Sequence, residues 1–112
     1  MQFTTMLKKN HEFRRLYSKG KSAASRCVVV YCRRYRKTGN RLGVTVSTKI
    51  GGAVQRNRVR RRLKEIYRLN EDKLIQGYDI VIVARVQSRY VEYYELESSV
   101  LAMLKKLNIT RQ

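Results

Sequence analysis

Apolar positions along the 112-residue chain change period several times, and each change predicts an element. Phe13, Leu16 and Tyr17 share one face of a short helix predicted from about Asn10 to Ser18, with Asn10 as N-cap, Glu12 in the first turn and Gly20 as a stop. A helix that short is marginal alone, so its stripe must dock on another element. Arg26 to Tyr35 reads as a strand, placing Val28, Val30 and Cys32 on one face and Val29, Tyr31, Arg33 and Tyr35 on the other. The first face has the character of core, the second of a binding floor. Lys37-Thr38-Gly39-Asn40 signals a turn, after which Arg41 to Ser47 alternates again, with Leu42, Val44 and Val46 inward and Gly43, Thr45 and Ser47 outward. Two strands joined by such a turn predict a β-hairpin.

Lys49 to Ala53 breaks the alternation, and Val54 to Asn70 takes up helical periodicity, with Val59, Leu63, Ile66 and Tyr67 on one stripe. Gly77 punctuates the chain, and Tyr78 to Ala84 is a run apolar but for Asp79, suited to a strand covered on both faces. Tyr93, Leu96, Val100, Met103, Leu104 and Leu107 form a final amphipathic helix. These elements predict one α+β domain over residues 1–112, a small α/β sandwich of a sheet with helices, without repeat, linker or low-complexity tract. The helix joining the second strand to the later apolar strand would be a crossover, right-handed by the general rule.

Charge changes the picture from fold to partner. The chain carries 26 Lys plus Arg against 8 Asp plus Glu, a formal +18, and such a balance repels itself unless a polyanion supplies counter-charge. Residues 1–70 hold 20 basic and 2 acidic side chains, and residues 71–112 hold 6 of each. Nucleic acid is the expected partner, RNA in preference to DNA. No apolar run is long enough to span a bilayer and no secretory stretch follows Met1 to Lys9, so no membrane partner and a cytoplasmic location are expected. Cys27 and Cys32, five apart in the strand, point to opposite faces and predict no disulfide. With His11 the only histidine and no close Cys pair, no metal site is expected in the protein. A protein nuclease is also disfavoured, because Glu12 and Glu65 are the only carboxylates in the basic half and form no pair. No catalytic residue and no small-molecule substrate are assigned.

The densest charge lies on the helix from Val54. Arg56, Arg60, Lys64 and Arg68 form one i, i+4 row beside the apolar stripe, and Arg58 and Arg62 a second row on its other side. Like charges at that spacing destabilise by roughly 0.2–0.5 kcal/mol each, and Glu65 offsets only its neighbours. Solvated helix residues would explain the run blandly, but six Arg to one Lys between Arg56 and Arg68 favours bidentate phosphate contact over solubility alone. Asn57 is placed to cap or to contact RNA. Gly51-Gly52 would let backbone approach an anion at the helix N-terminus, although a Gly pair there is more often a plain turn.

The run Lys49-Ile50-Gly51-Gly52-Ala53-Val54-Gln55-Arg56-Asn57-Arg58-Val59-Arg60-Arg61 closely resembles the signature of the bacterial ribonuclease P protein subunit family, whose hallmark is Arg-Asn-Arg. The resemblance extends over nearly the whole chain, through Asn10-His11-Glu12-Phe13, the Val29-Val30-Tyr31 strand, Ile80-Val81-Ile82-Val83-Ala84-Arg85 and the terminal helix. It implies an αβββαβα fold like the second domain of ribosomal protein S5, with a left-handed crossover around the basic helix. It also implies binding to a catalytic RNA, ribonuclease P RNA, which removes the 5′ leader of precursor tRNA with Mg2+ and itself performs the hydrolysis. By that resemblance Arg56, Asn57, Arg58, Arg60, Arg61, Arg62, Lys64 and Arg68 would contact the catalytic RNA. Phe13, Tyr17, Tyr31, Arg33 and Lys49 would line a cleft for the single-stranded leader, where small neighbours Gly43 and Thr45 leave room for bases to stack. The competing reading of Phe13 and Tyr17, the weaker of the two, is as plain core aromatics, and a basic ribosomal protein would show a similar composition. Gly52 stands where the family commonly has Asn, and Thr48 where a second Lys is frequent, both in the loop before the helix.

Overall fold

The computed structural model describes residues 1–35 and 38–111. In chain order the elements are β1 (Thr4–Met6), α1 (Asn10–Lys19), β2 (Lys21–Ala24), β3 (Val28–Arg34), β4 (Asn40–Thr45), α2 (Ala53–Asn70), β5 (Tyr78–Ala84) and α3 (Tyr93–Lys106). The strands form one five-stranded sheet in the order β1-β4-β5-β3-β2. β5 is antiparallel to β3 and parallel to β4, and β1 runs parallel to β4 on the far edge.

The expected hairpin is therefore corrected. β3 and β4 do not pair, because β5 lies hydrogen-bonded between them. Alternation in a strand assigns its faces but not its neighbour, and β5, apolar on both faces, takes the central position that buries it most. Of the predicted turn, Lys37 lies outside the described residues, while Gly39 takes φ +79 and leads into β4. The N-cap of α1 is Lys9 rather than Asn10, and the Glu12 carboxylate reaches back to accept from the Lys9 backbone N–H at 3.3 Å.

The sheet carries helices on both faces. On one, Val28, Val30, Cys32, Leu42, Ile80 and Ile82 meet Val59, Leu63, Ile66 and Tyr67 of α2 and Leu96, Val100 and Leu104 of α3. Each such side chain contributes about 1.5–3 kcal/mol by leaving water, which holds the charged helix down against its own repulsion. On the other, a smaller cluster of Leu7, Leu16 and Val81 packs with Phe13, Tyr31 and Val83 beneath α1. Cys27 departs from expectation: it sits in the bend before β3 and joins Cys32 in the larger cluster, both thiols being free.

β1 is tied to the end of α2 by a buried carboxylate. Glu71 accepts from the backbone N–H groups of Gln2 at 2.6 Å and Phe3 at 3.1 Å, and the Tyr67 hydroxyl meets Thr4 at 2.8 Å. Burial pushes the Glu71 pKa up, but hydrogen bonds from Thr4, Gln2 and Phe3 outweigh it and hold the group below its ordinary value. A depressed folded pKa gives stability that is full above the unfolded value of about 4.3 and is lost as pH falls below it. Acid titration of unfolding is expected to show this loss below about pH 4.3, and Glu71→Gln to flatten it.

Candidate RNA-binding surfaces

α2 presents its charge on both sides of the docked stripe. Val59, Leu63, Ile66 and Tyr67 are buried, while Asn57, Arg58, Arg61, Lys64 and Arg68 are exposed. Asn57, Arg60, Arg61, Lys64 and Arg68 line a shallow groove of about 400 Å³ whose far wall is Met1. Within it Arg60 donates to the Asn57 side-chain oxygen at 2.8 Å, and Arg68 grips Glu65 through two bonds of 2.8 Å. That grip holds the Glu65 pKa down and pushes the Arg68 pKa up. Arg60, Arg61 and Lys64 keep their charge free of any carboxylate among the described residues. On the other flank Arg62 donates to the Val91 carbonyl at 3.2 Å, and Arg56 has a buried Nε without a hydrogen-bond partner.

The loop before α2 is held by a residue that sequence reading did not single out. Arg89 donates to the Ile50 carbonyl at 3.1 Å. Gly51, at φ +146, makes room for it, since a Cβ there would lie 2.9 Å from the Arg89 Nη1. Nothing in the sequence signals this pairing, because Arg89 reaches the loop only through the tertiary fold.

A second surface lies on the opposite face of the sheet. Registers of β3, β5 and β4 align three rungs: Val29–Val83–Thr45, Tyr31–Val81–Gly43 and Arg33–Asp79–Arg41. α1 crosses this face with Phe13 directly over Gly43, where an added Cβ would come within 2.5 Å of the Phe13 ring. Tyr17 bonds the Thr45 hydroxyl at 3.0 Å and meets Tyr31 edge-on, with ring centres 4.9 Å apart. Beside them opens a cleft of about 550 Å³ walled by Phe13, Tyr17 and Val44 to Val46, with Asn10 and Arg14 at its edge. Tyr17 is 40% exposed, so its ring is available to a ligand rather than sealed in the core.

Phe13, Tyr17 and Tyr31 are thus brought together. Arg33 shares their sheet face but opens on a separate pocket, and Lys49 sits exposed in a 3-10 turn (Thr48–Ile50) and lines neither. Asn10 and Arg14 were missed, although their spacing one turn apart beside Phe13 and Tyr17 was legible. Gly43→Ala is expected to destabilise by roughly 1–3 kcal/mol through overpacking against Phe13. It should also narrow the cleft, which chemical denaturation and single-strand RNA binding check separately.

A ribonuclease P family profile matches residues 1–108. The chain belongs to the ribonuclease P protein family. The ribonuclease P protein component of Clostridium botulinum (strain Loch Maree / Type A3) is 49% identical over 104 residues, covering 92% of this chain and 94% of that protein. That of Alkaliphilus oremlandii (strain OhILAs) is 45% identical over 109 residues, covering 97% and 96%. Among solved structures, the Staphylococcus aureus RNase P protein superposes with a TM-score of 0.87 at 32% identity, covering 95% of this chain and 97% of that one. The Thermotoga maritima RNase P protein gives 0.83 at 30% identity, covering 90% and 96%. The α+β architecture is thus that of RNase P proteins.

As a member of that family the chain builds its surfaces from Arg, Lys and aromatic side chains. Among the described residues no three His, Cys, Asp or Glu side chains are grouped to hold a metal ion. No helix among them is long and apolar enough to cross a membrane.

Proposed function

We propose that this chain acts as the protein subunit of the ribonuclease P endoribonuclease: it binds the catalytic RNA through α2 and the 5′ leader of precursor tRNA through the α1 cleft. The carrying observation is the separation of the two surfaces by one sheet. A helix bearing unpaired cations serves a folded RNA through its phosphates, and an aromatic-walled cleft serves unstacked bases. Arg56, Asn57, Arg58, Arg60, Arg61, Arg62, Lys64 and Arg68 take the first role. Phe13, Tyr17 and Tyr31 take the second, with Arg33 and Lys49 at its margins.

In this reading the protein supplies no catalytic group. The RNA, with its Mg2+, breaks the phosphodiester bond, while the protein lowers repulsion between two polyanions and fixes the leader. The assembly acts in the cytoplasm, where precursor tRNA is made.

Reconstitution tests the proposal. Protein alone should leave precursor tRNA intact, and protein with its cognate RNA should release the leader at Mg2+ concentrations where the RNA alone is slow. Cleavage by the bare protein, or copurification with ribosomal subunits in place of ribonuclease P RNA, would overturn it.

A further inference from the structure

From the rung Arg33–Asp79–Arg41 we infer a phosphate-binding pocket on the sheet face that carries Tyr31, one same-face rung away from it, which fixes the register of the leader by holding one of its phosphodiesters. This inference rests on the leader-binding reading of the cleft. The pocket, of about 480 Å³, is lined by Arg15, Arg33, Arg34, Tyr35, Arg41 and Asp79. Its charges divide into a structural set and a free set.

Arg41 belongs to the first. It grips both Asp79 oxygens at 2.7 Å, bonds Glu12 of α1, and lies over the Tyr35 ring at 3.8 Å. One guanidinium thus bridges Asp79, which lines the pocket, and Glu12 behind it, and together with Arg15, Arg33 and Arg34 the group carries four positive charges against two negative. Arg33 lies directly opposite Asp79 on β3, yet Asp79 gives its bonds to Arg41. The guanidiniums of Arg15 and Arg33 have no ion-pair partner among the described residues, and Arg34 rests on the Tyr78 ring with its centre 5.5 Å away. Three further cations thus line one pocket without an ion pair of their own among the described residues, the local balance stays positive, and Arg33 is half-buried on the sheet. A half-buried guanidinium without a counter-ion is unfavourable until an anion arrives, and a planar fork suits a phosphodiester.

Position identifies whose phosphate it is. Arg33 follows Tyr31 by one same-face step along β3, about 6.6 Å. A strand that stacks a base on Tyr31 therefore brings a neighbouring linkage over Arg33. The stack alone tolerates any base and slides. Adding one charged anchor at a fixed distance stops the slide and sets which nucleotide meets Tyr31.

The test uses reconstituted holoenzyme and precursor tRNAs whose leader linkages are replaced one at a time by uncharged methylphosphonate. With unaltered protein, one linkage should weaken substrate binding by about tenfold, as expected for a lost charge-assisted hydrogen bond. With Arg33→Ala that linkage should lose its distinction, and Arg33→Lys should restore part of it. Circular dichroism melting of both variants checks that the fold is intact. The pocket is refuted if no single linkage stands out, or if the same linkage stands out equally in Arg33→Ala. It is likewise refuted if Arg33→Ala weakens binding of the catalytic RNA alone while leaving the linkage profile unchanged, which would assign the phosphate to that RNA. Should leaderless tRNA bind as tightly as precursor, the cleft reading itself fails, and that outcome is separable from the others.

Discussion

Replacing Arg60 and Lys64 together by alanine is expected to weaken binding of ribonuclease P RNA by roughly 100-fold at low salt with little change in folding stability. Each removes one charge-assisted phosphate contact of about 1.5–3 kcal/mol, and two such contacts reach that range. Stability should hold because Lys64 is exposed, Arg60 bonds only the neighbouring Asn57, and neither belongs to the buried stripe. Alanine is also the best helix former, and removing like charges at i, i+4 spacing relieves repulsion. The dependence of log affinity on log salt should flatten by about 2, since each released phosphate contact contributes about 0.9 to the slope. Filter binding across a salt series reads both quantities. An unchanged slope would remove these residues from the interface.

The second large effect is on the fold. Arg41→Ala should cost about 3 kcal/mol in urea unfolding at neutral pH, because Asp79 keeps only 12% side-chain exposure and would lose both hydrogen bonds. The value is set at the low end for breaking a buried pair, since Arg41 retains 21% exposure. Pairing with Asp79, Glu12 and Tyr35 pushes the Arg41 pKa up despite its burial, so its charge persists at every accessible pH. The companion variant Arg41→Met with Asp79→Asn should recover part of the loss by removing the stranded charge. A cost below about 1 kcal/mol would place the triad among ordinary surface pairs. Because Arg41 also holds Glu12, the loss should loosen α1 over the sheet and reduce preference for leader-bearing substrate.

Helical periodicity carried most of what the sequence made legible. The stripe Val59, Leu63, Ile66 and Tyr67 fixed which side of α2 docks, and so where its cations emerge. The apolar run of β5, broken only by Asp79, announced a strand covered on both faces, which it is. Strand partners were not legible, because alternation is satisfied by any neighbour, and the insertion of β5 between β3 and β4 depends on the whole sheet. β1 escaped notice, and β2 was expected only through the αβββαβα order that the resemblance implies, because three or four residues at a sheet edge bury too little to leave a pattern. For the cleft, Phe13, Tyr17 and Tyr31 were found by resemblance. The charged rung appears only once β3, β5 and β4 are in register, since Arg33, Arg41 and Asp79 are far apart along the chain.

The central placement of β5 also bears on synthesis. Every rung of the cleft floor, and the ground on which α2 docks, needs residues 78–84, which leave the ribosome after the Arg-rich segment has already emerged. Long-range pairing of this kind closes late. A chain that ends before Tyr78 therefore carries the cationic segment but lacks the central strand on which both surfaces are built. On the proposed reading, such a truncated product would keep its charge and lose the geometry that distinguishes one RNA from another.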